Sequence, residues 1–130
     1  MEILLVDDHV ATREEMVSLI KEQEDLDVVG QAGNGEDGVR LAKELHPDVI
    51  VMDVVMPGMN GIDATRAIRA SNSAVRVLAL SNHTGRNLVQ VVVDAGAAGY
   101  VRKDRAYEEL IPAIRAVGNG KQYFGARIRD

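Results

Sequence analysis

Cysteine and tryptophan are absent from the 130 residues, and aromatics make up only 3%. Without cysteine there is no disulfide framework and no thiolate metal site, a pattern that fits a cytoplasmic protein. So few aromatics leave no platform on which nucleic-acid bases could stack. Positive charge is also short. Lys and Arg number 15 against 20 Asp and Glu, a net charge of -5 and the wrong sign for a domain that grips phosphate backbones unaided. No apolar run approaches the length of a membrane span, so no membrane association is expected. Met1-Glu2-Ile3 enters a strand pattern at once, which leaves no room for a signal peptide. No internal repeat and no low-complexity segment is visible.

What the chain does have is a series of short apolar runs, each stopped by polar residues. Val49-Ile50-Val51-Met52 runs straight into Asp53, followed by Met56-Pro57-Gly58-Met59-Asn60-Gly61, which no regular element can cross. Such a run reads as a strand buried on both faces. Similar strands are expected over Glu2–Val6, Asp27–Ala32, Val75–Leu80 and Ala98–Val101.

Between them the apolar spacing becomes helical: about 11–23, from Asn34-Gly35 to Leu45, 61–70, 84–95, and a last helix carrying Tyr107, Leu110, Ile111, Ile114 and Val117. In the stretch 84–95, Leu88, Val91, Val92 and Ala95 fall in the core register, leaving Val89 and Val93 outside it. Pro112 conflicts with the last helix, which must either start near Glu108 or be kinked. Strand and helix alternate five times, which predicts an α/β fold with a parallel five-stranded sheet covered by helices on both faces.

The strand ends carry the chemistry. Asp7 and Asp8 end the first strand, Asp53 the third, Ser81 the fourth and Lys103 the fifth. In a parallel sheet these ends share one edge, where open α/β sheets bind ligands. Singly, each residue has a plain structural role: an Asp-Asp caps a helix, a serine makes a turn, a lysine is solvated. Together they describe something more specific. Crowded carboxylates repel, and a hard divalent cation such as Mg²⁺ relieves them while keeping waters and phosphate oxygens as further ligands. Lysine is a point-charge partner for phosphate, and a serine hydroxyl can donate to it. An aspartate can act as nucleophile toward phosphorus. The set therefore suits a phosphoryl group on Asp53.

Leu4-Leu5-Val6-Asp7-Asp8-His9, Asp53 with Met56-Pro57 and Asn60-Gly61, Leu80-Ser81, and Asp94-Ala95-Gly96-Ala97-Ala98-Gly99-Tyr100-Val101-Arg102-Lys103-Asp104 carry a further message. In this order they resemble a response-regulator receiver domain of two-component systems, over essentially the whole chain and most like the NarL/FixJ (LuxR-type) subfamily.

The resemblance implies a flavodoxin-like (βα)5 three-layer sandwich with strand order 2-1-3-4-5. It implies Asp53 as phosphoacceptor, Lys103 as phosphate lysine, Ser81 as switch hydroxyl and Tyr100 as switch aromatic. Asp7, Asp8, Asp53 and the Val55 backbone carbonyl would hold Mg²⁺, for which Mn²⁺ can substitute. Val55 and His83 occupy positions that tune loss of the phosphoryl group.

The implied partners are a cognate histidine kinase and, after phosphorylation, a second copy docked through the face formed by residues 84–118. DNA is expected only through a C-terminal domain not present here. The protein is then a self-phosphorylating switch rather than an enzyme. Residues 1–119 are expected to form the receiver, and 120–130 a tail resembling the start of an interdomain linker.

Asn82 departs from the usual small residue after the switch serine and is expected to narrow access to Asp53. Two other classes fit less well. A haloacid-dehalogenase-like phosphohydrolase would carry an acid where Val55 stands, and a flavodoxin-like carrier would want glycines or hydroxyls where Asp7-Asp8-His9 stands.

Overall fold

The strand Val49–Asp53 (β3) is buried at every position and runs through the middle of the sheet. In this computed structural model residues 1–82, 86–124 and 127–129 are described, with only the backbone for Arg86 and residues 127–129. The remaining elements are β1 (Glu2–Val6), α1 (Val10–Lys21), β2 (Asp27–Ala32), α2 (Gly35–Leu45), α3 (Gly61–Ser71), β4 (Arg76–Ser81), α4 (Arg86–Asp94), β5 (Gly99–Arg102), α5 (Ala106–Gly118), β6 (Gln122–Phe124) and β7 (Arg127–Arg129). A single 3₁₀ turn over Lys103–Arg105 joins β5 to α5.

The strand order is β2-β1-β3-β4-β5-β6-β7. The first five follow the expected 2-1-3-4-5 order and are mutually parallel. Alternation along the strands divides the core, because successive side chains point to opposite faces. Ile3, Leu5, Val51 and Leu80 meet Met16 and Ile20 of α1 and Leu110 and Ile114 of α5. Leu4, Val6, Ile50 and Met52 meet Ala42 of α2 and Ala64 and Ile68 of α3. The three-layer architecture follows from this, and it brings the C-terminal ends of β1, β3, β4 and β5 to one edge.

Local chemistry sets the helix ends. Asn34 and Asn60 accept from Asp37 N at 2.8 Å and Asp63 N at 2.9 Å, capping α2 and α3. His46 takes a left-handed conformation (φ 49°) and Pro47 prevents continuation, which stops α2 at Leu45.

Several expectations are corrected. Among the described residues the sheet has seven strands, not five: β6 adds in parallel to β5, and β7 pairs antiparallel with β6. Pro112 lies inside α5, which begins before Glu108. It is tolerated on the exposed face, where the Glu108 carbonyl that loses its donor can meet water. Val92 of α4 and Ala95 just after it are buried, but Val91 is 36% exposed and Val89 packs on the small cluster around Val54, Ala79 and Tyr100. The helix is rotated from the expected register because it covers only that cluster at the sheet's β5 side. Tyr107 is 81% exposed and does not join the core of α5.

Candidate functional site

Asp7 and Asp53 emerge side by side from β1 and β3, both buried, and Lys103 closes over them from the turn after β5. Its Nζ lies 3.0 Å from Asp53 Oδ2 and 3.0 Å from Asp7 Oδ2. The first contact is a hydrogen bond; the second is ionic, without hydrogen-bond geometry. Asp53 Oδ1 accepts from Val55 N at 3.3 Å, and Asp7 Oδ1 accepts from His9 N at 2.8 Å. Arg13 of α1 donates to the Asp7 carbonyl at 2.5 Å and so holds the end of β1 in place.

Electrostatics follow from this crowding. Burial, aided by the neighbouring Asp7 charge and opposed by Lys103, pushes the Asp53 carboxyl up to about 6. Burial alone would lower Lys103, but its contacts with Asp53 and Asp7 outweigh that and raise it. Lys103 is therefore a fixed positive charge, and Asp53 is held near the midpoint of its titration at mildly acidic pH.

The site also fits a hard cation. Asp7, Asp8, His9 and Asp53 each offer a ligand atom, all within 4.8 Å of one another. Asp7 Oδ2 and Asp8 Oδ1 are buried without a hydrogen bond among the described residues. Buried carboxylate oxygens left in this state favour a divalent ion that binds oxygen. His9 is the member that sequence reasoning did not single out. Its Nδ1 stands 3.2 Å from Asp8 Oδ1 and 3.3 Å from Asp7 Oδ1. The only signal for it was its place directly after the acidic pair.

A cavity of about 150 Å³ opens over Asp53, lined by His9, Asp53, Val55, Ser81, Asn82 and Lys103. That is well above the ~10–15 Å³ that one water needs. Asn82 is exposed and lines this cavity, and the Val55 side chain is also exposed. A larger groove between α1 and α5 reaches Lys103 but contains neither Asp7 nor Asp53.

Ser81 is buried at the end of β4. Tyr100, on the neighbouring strand β5, is itself 5% exposed, and burial raises its phenol. The expected switch pair thus lies on adjacent strands, with both residues buried. Asp7, Asp8, Asp53, Ser81 and Lys103 come together as expected, while His83 lies outside the described residues.

Comparison with known proteins agrees with this geometry. Residues 3–115 match the response regulator receiver domain model. The transcriptional regulatory protein LiaR of Bacillus subtilis is 39% identical over 126 residues, covering 97% of this chain and 60% of its own length. The response regulator UvrY of Escherichia coli is 40% identical over 126 residues, covering 97% of this chain and 58% of its own length. The chain thus spans about 60% of the length of these curated relatives.

Among solved structures, a LuxR-family response regulator from Aurantimonas sp. SI85-9A1 superposes with a TM-score of 0.90 at 39% identity, covering 94% of this chain and 87% of that one. The receiver domain of NarL from Mycobacterium tuberculosis gives 0.87 at 33% identity, covering 92% and 96%. The matches to LuxR-family and NarL structures support the NarL/FixJ-type subfamily. The chain belongs to the response-regulator receiver-domain family of two-component systems.

Proposed function

We propose that Asp53 accepts a phosphoryl group from the phosphohistidine of a cognate histidine kinase, or from a small acyl phosphate. The observation that carries this reading is Lys103 Nζ, 3.0 Å from both Asp53 and Asp7, in a cavity also lined by Ser81. An Asp53 carboxylate oxygen attacks phosphorus. The bond from phosphorus to the donor's nitrogen or oxygen breaks, and its electron pair leaves with the donor. Lys103 offsets charge on the transferring oxygens, and the Ser81 hydroxyl donates to one of them. Asp7, Asp8, Asp53 and the Val55 carbonyl would hold Mg²⁺ or Mn²⁺, which supplies further charge neutralisation when bound. Water entering the same cavity hydrolyses the acyl phosphate. Val55 on the cavity wall, together with His83, is proposed to set the rate of that loss.

The chain acts as a switch. Phosphorylation draws on the hydrogen-bonding capacity of Ser81 and so perturbs Tyr100. The surface formed by residues 84–118 is proposed to join two copies in response. Because the outer edge of β5 is already paired to β6, such a dimer would use side chains of α4 and α5 rather than strand pairing. Output through a C-terminal DNA-binding domain, in the cytoplasm, completes the proposal. It is supported by the transcriptional role in LiaR's name and by the net charge of -5, which does not suit DNA binding by this domain itself. Among the described residues no helix is long and apolar enough to cross a membrane. Beryllofluoride, a phosphoryl mimic, tests the site. With Mg²⁺ it should shift the amide signals of Asp53, Ser81 and Lys103, and absence of any Mg²⁺-dependent shift would overturn the reading.

A further inference from the structure

The chain beyond α5 returns alongside the start of that helix. Lys121 N donates to Ala116 O at 3.0 Å, bringing the chain back along the sheet edge. β6 then runs parallel to β5, with Gly99 opposite Tyr123. A side chain at position 99 would forbid this approach, since a Cβ there would stand 2.8 Å from the Tyr123 carbonyl oxygen. Tyr123 is buried in the same core cluster as Leu110, Ala113 and Ile114 of α5. Its hydroxyl donates to Glu109 Oε1 at 3.1 Å. Burial and the Glu109 carboxylate push the phenol up to about 12, so it keeps its proton and stays a donor.

Glu109 has a second partner. Its Oε2 accepts from Arg105 Nε at 3.2 Å. The Glu109 side chain is only 12% exposed, whereas that of Arg105 is 56% exposed. A carboxylate so covered needs donors, and Tyr123 supplies the buried one. Arg105 is the last residue of the 3₁₀ turn that Lys103 opens, and Ala106 N closes that turn onto Lys103 O. Among the described residues no side chain caps the N-terminus of α5. The turn is tied to α5 through Arg105 and Glu109, and Glu109 is tied to the sheet through Tyr123. Lys103 depends on that turn, because its Nζ meets Asp53 and Asp7 at once, 3.0 Å from each. A side chain this long loses much rotamer freedom in such a place and holds it only from a fixed backbone.

We infer that Tyr123 is a positioning residue for Lys103, acting through Glu109 and Arg105. The strand that follows the last helix thus sets how firmly the lysine is aimed at Asp53. Without the Tyr123 hydroxyl, Glu109 keeps one donor, and that donor sits largely in solvent. Glu109 then turns outward, Arg105 follows it, and the turn that carries Lys103 loosens. This coupling deepens the role proposed above for Lys103 as phosphate partner, and rests on it.

Tyr123→Phe keeps the buried ring and removes only the hydroxyl. In saturating Mg²⁺, the beryllofluoride affinity of this variant should fall about threefold or more, the worth of one modest hydrogen bond. Mg²⁺ affinity alone, followed by amide signals, should not fall, because Lys103 offers the ion no ligand. A merely structural loss would loosen the acidic pair as well and lower both affinities. Glu109→Ala should weaken beryllofluoride binding at least as much, and adding Tyr123→Phe to it should bring no further loss. In metal-free protein, Tyr123→Phe should shift or broaden the NMR signal of the Lys103 ammonium group. Unchanged beryllofluoride affinity in Tyr123→Phe, an equal fall in Mg²⁺ affinity, or additive losses in the double variant would overturn the inference. Failure of beryllofluoride to bind even the unsubstituted protein would instead sink the Asp53 reading. The ammonium signal would then decide the positioning, and an unchanged signal would overturn it.

Discussion

The carbonyl oxygen of Asp53 occupies the place where a Cβ on Gly61 would stand. Gly61 opens α3 and its N–H donates to Val54 O at 2.8 Å, so the loop leaving β3 is folded back tightly onto its own start. Alanine is the better helix former by about 1 kcal/mol. Here the steric clash wins, because the obstruction is backbone and cannot rotate away. Gly61→Ala is expected to destabilise the protein by at least about 2 kcal/mol in urea unfolding. A neutral or stabilising change would show that the loop has slack.

Asp7 Oδ2 and Asp8 Oδ1, buried and met only by the ionic neighbours Lys103 and His9, predict a strict dependence of metal binding on the acidic pair. Asp8→Ala removes one anionic ligand from an ion that dehydrates reluctantly. Mg²⁺ affinity, followed by titration of amide signals, should fall at least about tenfold, or ~1.4 kcal/mol. An unchanged affinity would demote Asp8 to a residue at the entry of α1.

Asp53 also predicts a pH dependence in metal-free protein. Its folded carboxyl, raised chiefly by burial to about 6, retains a proton that the unfolded chain releases near pH 4. Between about pH 4 and 6 the folded state binds more protons than the unfolded one, so this group's contribution to stability falls as pH rises. The loss is on the order of 2–3 kcal/mol by pH 7. Asp53→Asn escapes it. Urea unfolding in chelator should show the variant gaining on the unsubstituted protein between pH 4.5 and pH 7. A constant difference would mean that Asp53 titrates normally.

Val91, 36% exposed on α4, predicts where the proposed dimer forms. Sedimentation should show a shift toward dimer with beryllofluoride and Mg²⁺, and Val91→Asp should weaken that dimer at least about tenfold. A monomer in both states at high concentration would remove the dimer, whereas a dimer indifferent to Val91→Asp would move it to another face.

Much of this was legible in the sequence for a physical reason. A parallel sheet covered on both faces needs strands that are apolar throughout, so Ile3–Val6, Val49–Met52 and Val77–Leu80 stand out against their polar ends. The strand-end position of Asp7, Asp53, Ser81 and Lys103 was readable for the same reason. β6 was not, because Gln122–Phe124 carries no pattern of its own and becomes a strand only where Gly99 lets it approach β5. The register of α4 was misread because four neighbouring valines and a leucine permit more than one apolar stripe, and only the position of the Tyr100 cluster decides between them. The burial of Tyr100 against β4 depends on how its side chain packs on Ala79 and Val54, which spacing does not encode.

The central claim is that Asp53, held by Lys103 beside Asp7, is the phosphoacceptor. Mass spectrometry of the protein and its peptides after incubation with Mg²⁺ and acetyl phosphate tests it most directly. One acid-labile phosphoryl group should appear on the peptide containing Asp53, should require Mg²⁺, and should be absent from Asp53→Asn. Incorporation that persists in Asp53→Asn, or that proceeds equally well without a divalent cation, would contradict it.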